Sequence, residues 1–100
     1  MIIYNVTVSI DQSIHEDWLQ WMKEVHIPEV METGFFLENK VCRLMVDDEI
    51  TYAIQYTCEN IDKLNEYQEK YAPNLQEKHS NRYRGKFGAF RTLLEIVDQH

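Results

Sequence analysis

His26-Ile27-Pro28-Glu29-Val30 interrupts one helical pattern, and Tyr71-Ala72-Pro73-Asn74-Leu75 interrupts a second in the same way. Proline has no N–H to give to the preceding turn and pushes the residue before it out of the helical region, so each stretch predicts a break or kink. Ahead of the first break, Ile14, Trp18, Trp21, Met22 and Val25 recur at helical spacing, with Asp11 and Ser13 as capping types and Glu16 three residues after Ser13. Pro28 is placed to begin a short second helical piece that Gly34 ends. Ahead of the second break, Asn60 caps a helix carrying Ile61, Leu64, Tyr67 and Tyr71, and a short piece with Leu75 and His79 follows.

Strands flank both helical units. Residues 2–10 alternate, with Ile2, Tyr4, Val6, Val8 and Ile10 on one face and Asn5, Thr7 and Ser9 on the other. Residues 36–46 and 52–58 predict two more strands about the acidic turn Asp47-Asp48-Glu49, with Val46 opposite Tyr52 and Cys42 opposite Tyr56. In that register Cys58 lies diagonally from Cys42, about 7–8 Å away, too far for a disulfide. Lys86 to Val97 is the last strand, with Phe90, Leu94 and Ile96 on its apolar face. The two halves repeat one order: strand, helix, proline break, short helical piece, strand. A split β-α-β repeated twice is the ferredoxin-like α+β arrangement, expected as one domain over residues 1–100. Its four-stranded antiparallel sheet carries both proline-broken helices on one face, since only one face of each strand is strongly apolar.

Composition limits the partners. The 100 residues are 44% apolar and carry a formal charge of −7, a balance that fits a globular chain. Acids outnumber bases 17 to 10, which argues against nucleic acid, whose binding rests on neutralising phosphates. Arg82, Arg84 and Lys86 form the one basic cluster, read as a solvated connection. No apolar run approaches the roughly 20 residues of a spanning helix, and Met1 to Ile10 reads as a strand and not a signal peptide. Cys42 and Cys58 have no C-x-x-C or Cys/His spacing, so reduced, buried thiols in a cytoplasmic protein are expected.

By this phasing the uncovered sheet face holds Ile3, Asn5, Thr7, Val41, Arg43, Met45, Ala53, Gln55, Thr57, Ala89, Arg91 and Leu93. That mixture is too apolar for water and too polar for a dry core, and suits a sheet-to-sheet homodimer, the alternative being an ordinary solvated face. Tyr4-Asn5-Val6-Thr7-Val8, the run from Trp18 and Trp21-Met22 to Val25-His26-Ile27-Pro28, Gln55-Tyr56-Thr57 and Phe90-Arg91-Thr92 together resemble domain of unknown function family 4286, small bacterial proteins of this length. The resemblance spans the whole chain. It implies kinship with the dimeric α+β barrel proteins, whose sheets pack face to face in homodimers, and it implies no activity or cofactor.

Candidate site residues follow from chemistry. His26, at the helix break beside Met22, is a candidate proton-transfer group at the mouth of a helix–sheet cleft near Tyr4, Tyr52 or Tyr56. The bland alternative is a helix-terminal imidazole bonded to a freed carbonyl. Arg43 and Arg91, buried in a dimer with Asn5 and Gln55, are candidates for holding a carboxylate or phosphate, or for pairing with acids such as Glu38 and Glu95. Tyr4 and Tyr56 belong to an aromatic set that forms either a pocket wall or plain core. His15, His79 and His100 are expected on exposed positions, and no converging metal ligands are visible. Asp47-Asp48-Glu49 lacks the spaced oxygens of a calcium loop.

Three functions remain open on these residues. The first is a homodimer that binds a small organic ligand or a partner. The second is a cofactor-independent enzyme of the dimeric barrel type, a monooxygenase, cyclase or isomerase using His26. The third is a structural interaction subunit.

Overall fold

The computed structural model describes all residues 1–100. The chain runs β1 (Ile2–Ile10), a 3₁₀ turn (Gln12–Ile14), α1 (His15–Trp21), a π-helical turn (Met22–His26), α2 (Ile27–Glu32), β2 (Phe36–Arg43), β3 (Ile50–Cys58), α3 (Ile61–Lys70), α4 (Ala72–Arg82) and β4 (Phe87–Glu95). The sheet order is β2-β3-β1-β4 with every neighbouring pair antiparallel. This is the ferredoxin-like fold, and the helices lie on one face.

Capping explains where the helices begin and end. Asp11 accepts from the Ser13 amide and so caps the 3₁₀ turn, while α1 starts at His15 without a side-chain cap. Asn60 accepts from the Lys63 amide at 2.9 Å and caps α3. Gly34 follows α2 at φ +83°, the left-handed conformation glycine adopts without a Cβ clash. The two prolines act differently. Tyr71, at φ −121°, separates α3 from α4 as the pattern predicted. At Pro28 the helix does not stop: the Ile27 amide reaches back to the Met22 carbonyl, and the wide turn absorbs the proline without a chain break. His26 therefore sits inside a continuous helical path and not at a helix end.

The core is a dense aromatic layer between sheet and helices. Tyr4, Val8, Tyr52, Ile54, Tyr56 and Cys58 from the sheet pack with Trp18, Met22, Val30, Leu64, Tyr67, Leu75 and Tyr83. Tyr4, Phe36, Tyr56 and Tyr67 form a ring cluster with centroids 4.7–6.2 Å apart, the spacing of offset and edge-to-face aromatic pairs.

Both edge strands run in the opposite phase to the sequence expectation. In β2 the partner of Cys58 is Phe36 and that of Thr57 is Glu38, so Leu37 is an inserted bulge residue. Beyond it Val41 faces Ile54 and Arg43 faces Tyr52, on the helix side, while Cys42 pairs with Ala53 on the other. The strand ends at Arg43, and Met45 and Val46 are exposed in the loop. In β4, Arg91 pairs with Val6, Ala89 with Val8 and Leu93 with Tyr4, all on the helix side. Phe90 and Leu94 consequently stand on the uncovered face, 62% and 39% exposed. Hydrophobicity alone phases β4 the other way, but its Phe90–Leu94 set faces away from the helices.

The cysteines shift with the register. Cys42 is exposed and Cys58 fully buried, on opposite faces of the sheet. They do not bridge, but the separation is by faces rather than by a diagonal.

Candidate functional site

A cavity lies between the helices and the sheet where the proline-adjacent segments come together. Its volume is ≈ 50 Å³, room for a few waters and no more unless a ligand extends through the mouth. Val6, Val8 and Tyr4 of β1, Ile54 and Tyr56 of β3, and Ala89 and Arg91 of β4 form its floor. Met22, His26 and Val30 wall it on one side, Tyr67, Leu75, Gln76, His79 and Ser80 on the other.

His26 enters from the π-helical turn. The wide turn rotates the residues after Met22 relative to an α-helix, and His26 lands beside Trp21, ring on ring at 5.0 Å and 26°. No side-chain hydrogen bond holds the imidazole, so it neither caps a carbonyl nor joins a triad. Burial pushes its pKa from 6.5 down to about 4, with Glu29 opposing the fall and Lys78 and Arg91 adding to it.

His79 departs furthest from its expected position. It was expected at the surface, yet it is 8% exposed. Ala72, Leu75, His79 and Tyr83 are all buried on one face of α4 and its end, and that 3-4-4 spacing was the signal available in the sequence. Its Nε2 accepts from Trp18 Nε1 at 2.9 Å. Its ring stands edge-on to Phe87 at 4.5 Å and tilted to His26 at 5.7 Å. Burial first, then the neighbouring His26 and Arg91, lowers its pKa to about 4 as well. His15 is likewise not free: its Nε2 shares a 2.6 Å hydrogen bond with the Tyr52 hydroxyl.

The phenols complete the polar set. Burial raises the pKa of Tyr56 and of Tyr67 far above the usual value, so both stay protonated. Neither hydroxyl has a hydrogen-bond partner in the protein. Neither is sealed, because the one sealed, unpaired side-chain polar atom is Asn5 Oδ1. Tyr4 is approached by Gln76 Nε2 at 3.5 Å, a marginal contact.

The other sequence candidates divide between locations. His26, Tyr4, Tyr56 and Arg91 line the cavity together. Asn5 and Gln55 pair directly across β1 and β3 on the opposite, uncovered face. Arg43 sits at the far end of the sheet, its guanidinium 5.9 Å from the Tyr52 ring, beside a polar cleft with Asp11, His15, Asp48 and Lys86. The expected grouping of Arg43 and Arg91 with Asn5 and Gln55 does not form, because both edge strands carry their arginines on the helix side. Tyr52 also lies outside the cavity lining, between Trp18 and His15. No group of three or more His, Cys, Asp or Glu side chains is arranged to hold a metal, and no helix is long and apolar enough to cross a membrane.

Among solved structures the chain is similar to a dimeric ferredoxin-like protein from an uncultured marine organism, at 8% identity and TM-score 0.73, covering 100% of this chain and 98% of that one. It is similar to the heme-degrader MhuD from Mycobacterium tuberculosis with two hemes bound in its active site, at 14% identity and TM-score 0.74, covering 100% and 99%. A putative antibiotic biosynthesis monooxygenase from Nitrosomonas europaea matches at 6% identity and TM-score 0.72, covering 98% and 100%. At such identities the likeness establishes the fold. No curated protein matches. Residues 1–97 match the family described as Domain of unknown function (DUF4286), and the chain belongs to that family.

Proposed function

We propose that residues 1–100 act as one ferredoxin-like unit that pairs with a second copy and binds a small organic ligand in the helix–sheet cavity. The observation that carries this reading is the convergence on one largely apolar cavity of four polar groups without a full set of partners: the Tyr56 and Tyr67 hydroxyls and the His26 and His79 rings. A buried polar group left unpaired costs about 1–3 kcal/mol, so such a set is expected to be met by water or ligand. His26 serves here as a neutral hydrogen-bonding group. A base whose conjugate acid ionises at about 4 is poorly matched to proton transfer near neutral pH. That favours the binder over the cofactor-independent enzyme.

The haem carried by one structural relative does not fit this cavity. Its ≈ 50 Å³ is far below the several hundred Å³ of a typical small-molecule site, and the Trp18 bond takes the lone pair of His79 Nε2, leaving His26 as the one lining imidazole with both nitrogens unbonded.

Pairing is proposed through the uncovered face. Phe90 and Leu94 stand exposed there beside Ile3, Ala53 and the hydroxyl-bearing Thr7 and Thr92. The relatives described as dimeric ferredoxin-like proteins support it. A cytoplasmic setting accords with the two unbridged thiols.

Mass spectrometry of small molecules released from natively purified protein tests the binding reading, combined with thermal unfolding before and after their removal. A molecule bound only to the folded state raises the unfolding temperature. His26→Ala is expected to abolish that rise while leaving the unliganded protein folded. An unchanged rise in His26→Ala, with no shift in Tyr56→Phe either, would place the ligand elsewhere and overturn the reading.

A further inference from the structure

We infer that the cavity selects a ligand with an oxyanion head, a carboxylate or an enolate, and that Trp18 enforces the choice by locking His79 as a hydrogen-bond donor. This rests on the ligand-binding reading above and assigns its chemical class.

Trp18 is completely buried, and its Nε1 donates to His79 Nε2 across 2.9 Å. An indole nitrogen donates and never accepts, so Nε2 must offer its lone pair and the neutral ring carries its proton on Nδ1. Nδ1 has no acceptor within the protein and is not a sealed atom, and the His79 ring lines the cavity. The lock therefore presents an N–H to the ligand and removes the tautomer that would accept. The Tyr56 and Tyr67 hydroxyls, held protonated by burial, are also free to donate.

Charge points the same way. Arg91 is the one charged residue in the lining, and no Asp or Glu is present there. Its field reaches inward: it disfavours protonation of both His26 and His79 and favours ionisation of Tyr67. Within the lining a cationic ligand would meet that charge with no carboxylate beside it, since Glu29, the acid nearest His26, lies outside the lining and pairs with Lys78, whereas an oxyanion meets an arginine and several donors. With an enclosed volume of ≈ 50 Å³, the charged head is the part that enters, and the body of the ligand extends through the mouth.

Two measurements test this on the full chain. Nitrogen-15 NMR of the imidazole rings reads the tautomer directly. His79 is expected as the Nδ1–H form in the wild type and to shift toward the Nε2–H form in Trp18→Phe, a signature that loss of packing alone does not produce. Titration with benzoate and its neutral isostere benzamide, followed at the His26 and His79 ring resonances, then reads the class. Benzoate is expected to bind at least about tenfold tighter than benzamide, as charge-assisted hydrogen bonds imply, and Arg91→Met and Trp18→Phe should each erode that ratio. Equal binding of the two probes would overturn the oxyanion class while leaving the ligand-binding reading intact. An Nε2–H tautomer in the wild type would overturn the lock. If neither probe binds, the class falls, and the absence of any co-purifying molecule would then take the binding reading with it.

Discussion

Acid should unfold this protein through two histidines, and the steepness of the loss counts them. Burial holds both His26 and His79 at about 4, against 6.5 for a free imidazole. As pH falls the unfolded chain therefore takes up protons first. The stability these rings provide is complete above about 6.5, declines between 6.5 and about 4, and changes no further below that. Each proton contributes a slope of about 1.4 kcal/mol per pH unit, so the pair gives up to ~2.7 kcal/mol per unit near pH 5. Integrated over the window each ring accounts for at most ~3.4 kcal/mol, a large share of the ~5–15 kcal/mol expected for a domain of this size. Glu29 beside His26 works against the shift, while Lys78 and Arg91 work with it, so the two rings need not titrate together. Urea denaturation at half-unit steps from pH 7 to 4, with free energies extrapolated to water, measures the slope. His26→Gln should roughly halve it, since it removes one titrating ring that makes no hydrogen bond. A slope below about 0.5 kcal/mol per unit across the window, or one that His26→Gln leaves unchanged, would refute the burial argument for both rings.

Three other outcomes follow from the register and the backbone. Phe90→Asp, on the uncovered face and 62% exposed, should shift the assembly toward monomer in light scattering, whereas Met45→Asp, out in the β2–β3 loop, should not; a monomeric wild type at micromolar concentration would rule out the proposed pairing. Cys42 should react with a thiol reagent in the folded protein within minutes, while Cys58, fully buried, reacts only on unfolding; equal rates for the two would contradict the β2 bulge. Gly34→Ala should cost about 1 kcal/mol from backbone strain alone, because at φ +83° an added Cβ meets nothing within 4 Å, and an unchanged unfolding midpoint would argue against that left-handed turn.

The sequence by itself determined the architecture. Period-two alternation in Ile2–Ile10, helical spacing from Ile14 to Val25, the Asn60 cap and the paired proline segments are local signals, each set by backbone sterics and by the cost of leaving apolar side chains in water. They add up to a ferredoxin-like order without reference to distant contacts. They also marked His26, Tyr4 and Tyr56 for one helix–sheet cleft, where the fold brings them together, and Arg91, expected on the uncovered face, joins them there from β4. The tertiary structure alone decided the faces of the edge strands. An edge strand has one neighbour and a half-solvated surface, so its hydrophobic alternation is a weak guide to phase. In β2 a single bulged residue, Leu37, inverts everything after it. In β4 the backbone bond from the Asp11 amide to the Lys86 carbonyl sits beside the Ile10–Phe87 pairing. That register sends Arg91 toward the helices and Phe90 away from them. The burial of His79 was legible in its spacing with Ala72, Leu75 and Tyr83, but its hydrogen bond was not, because the donor is Trp18, a residue 61 positions away. No local pattern encodes a donor brought from the other half of the chain; only packing the two halves against one sheet does.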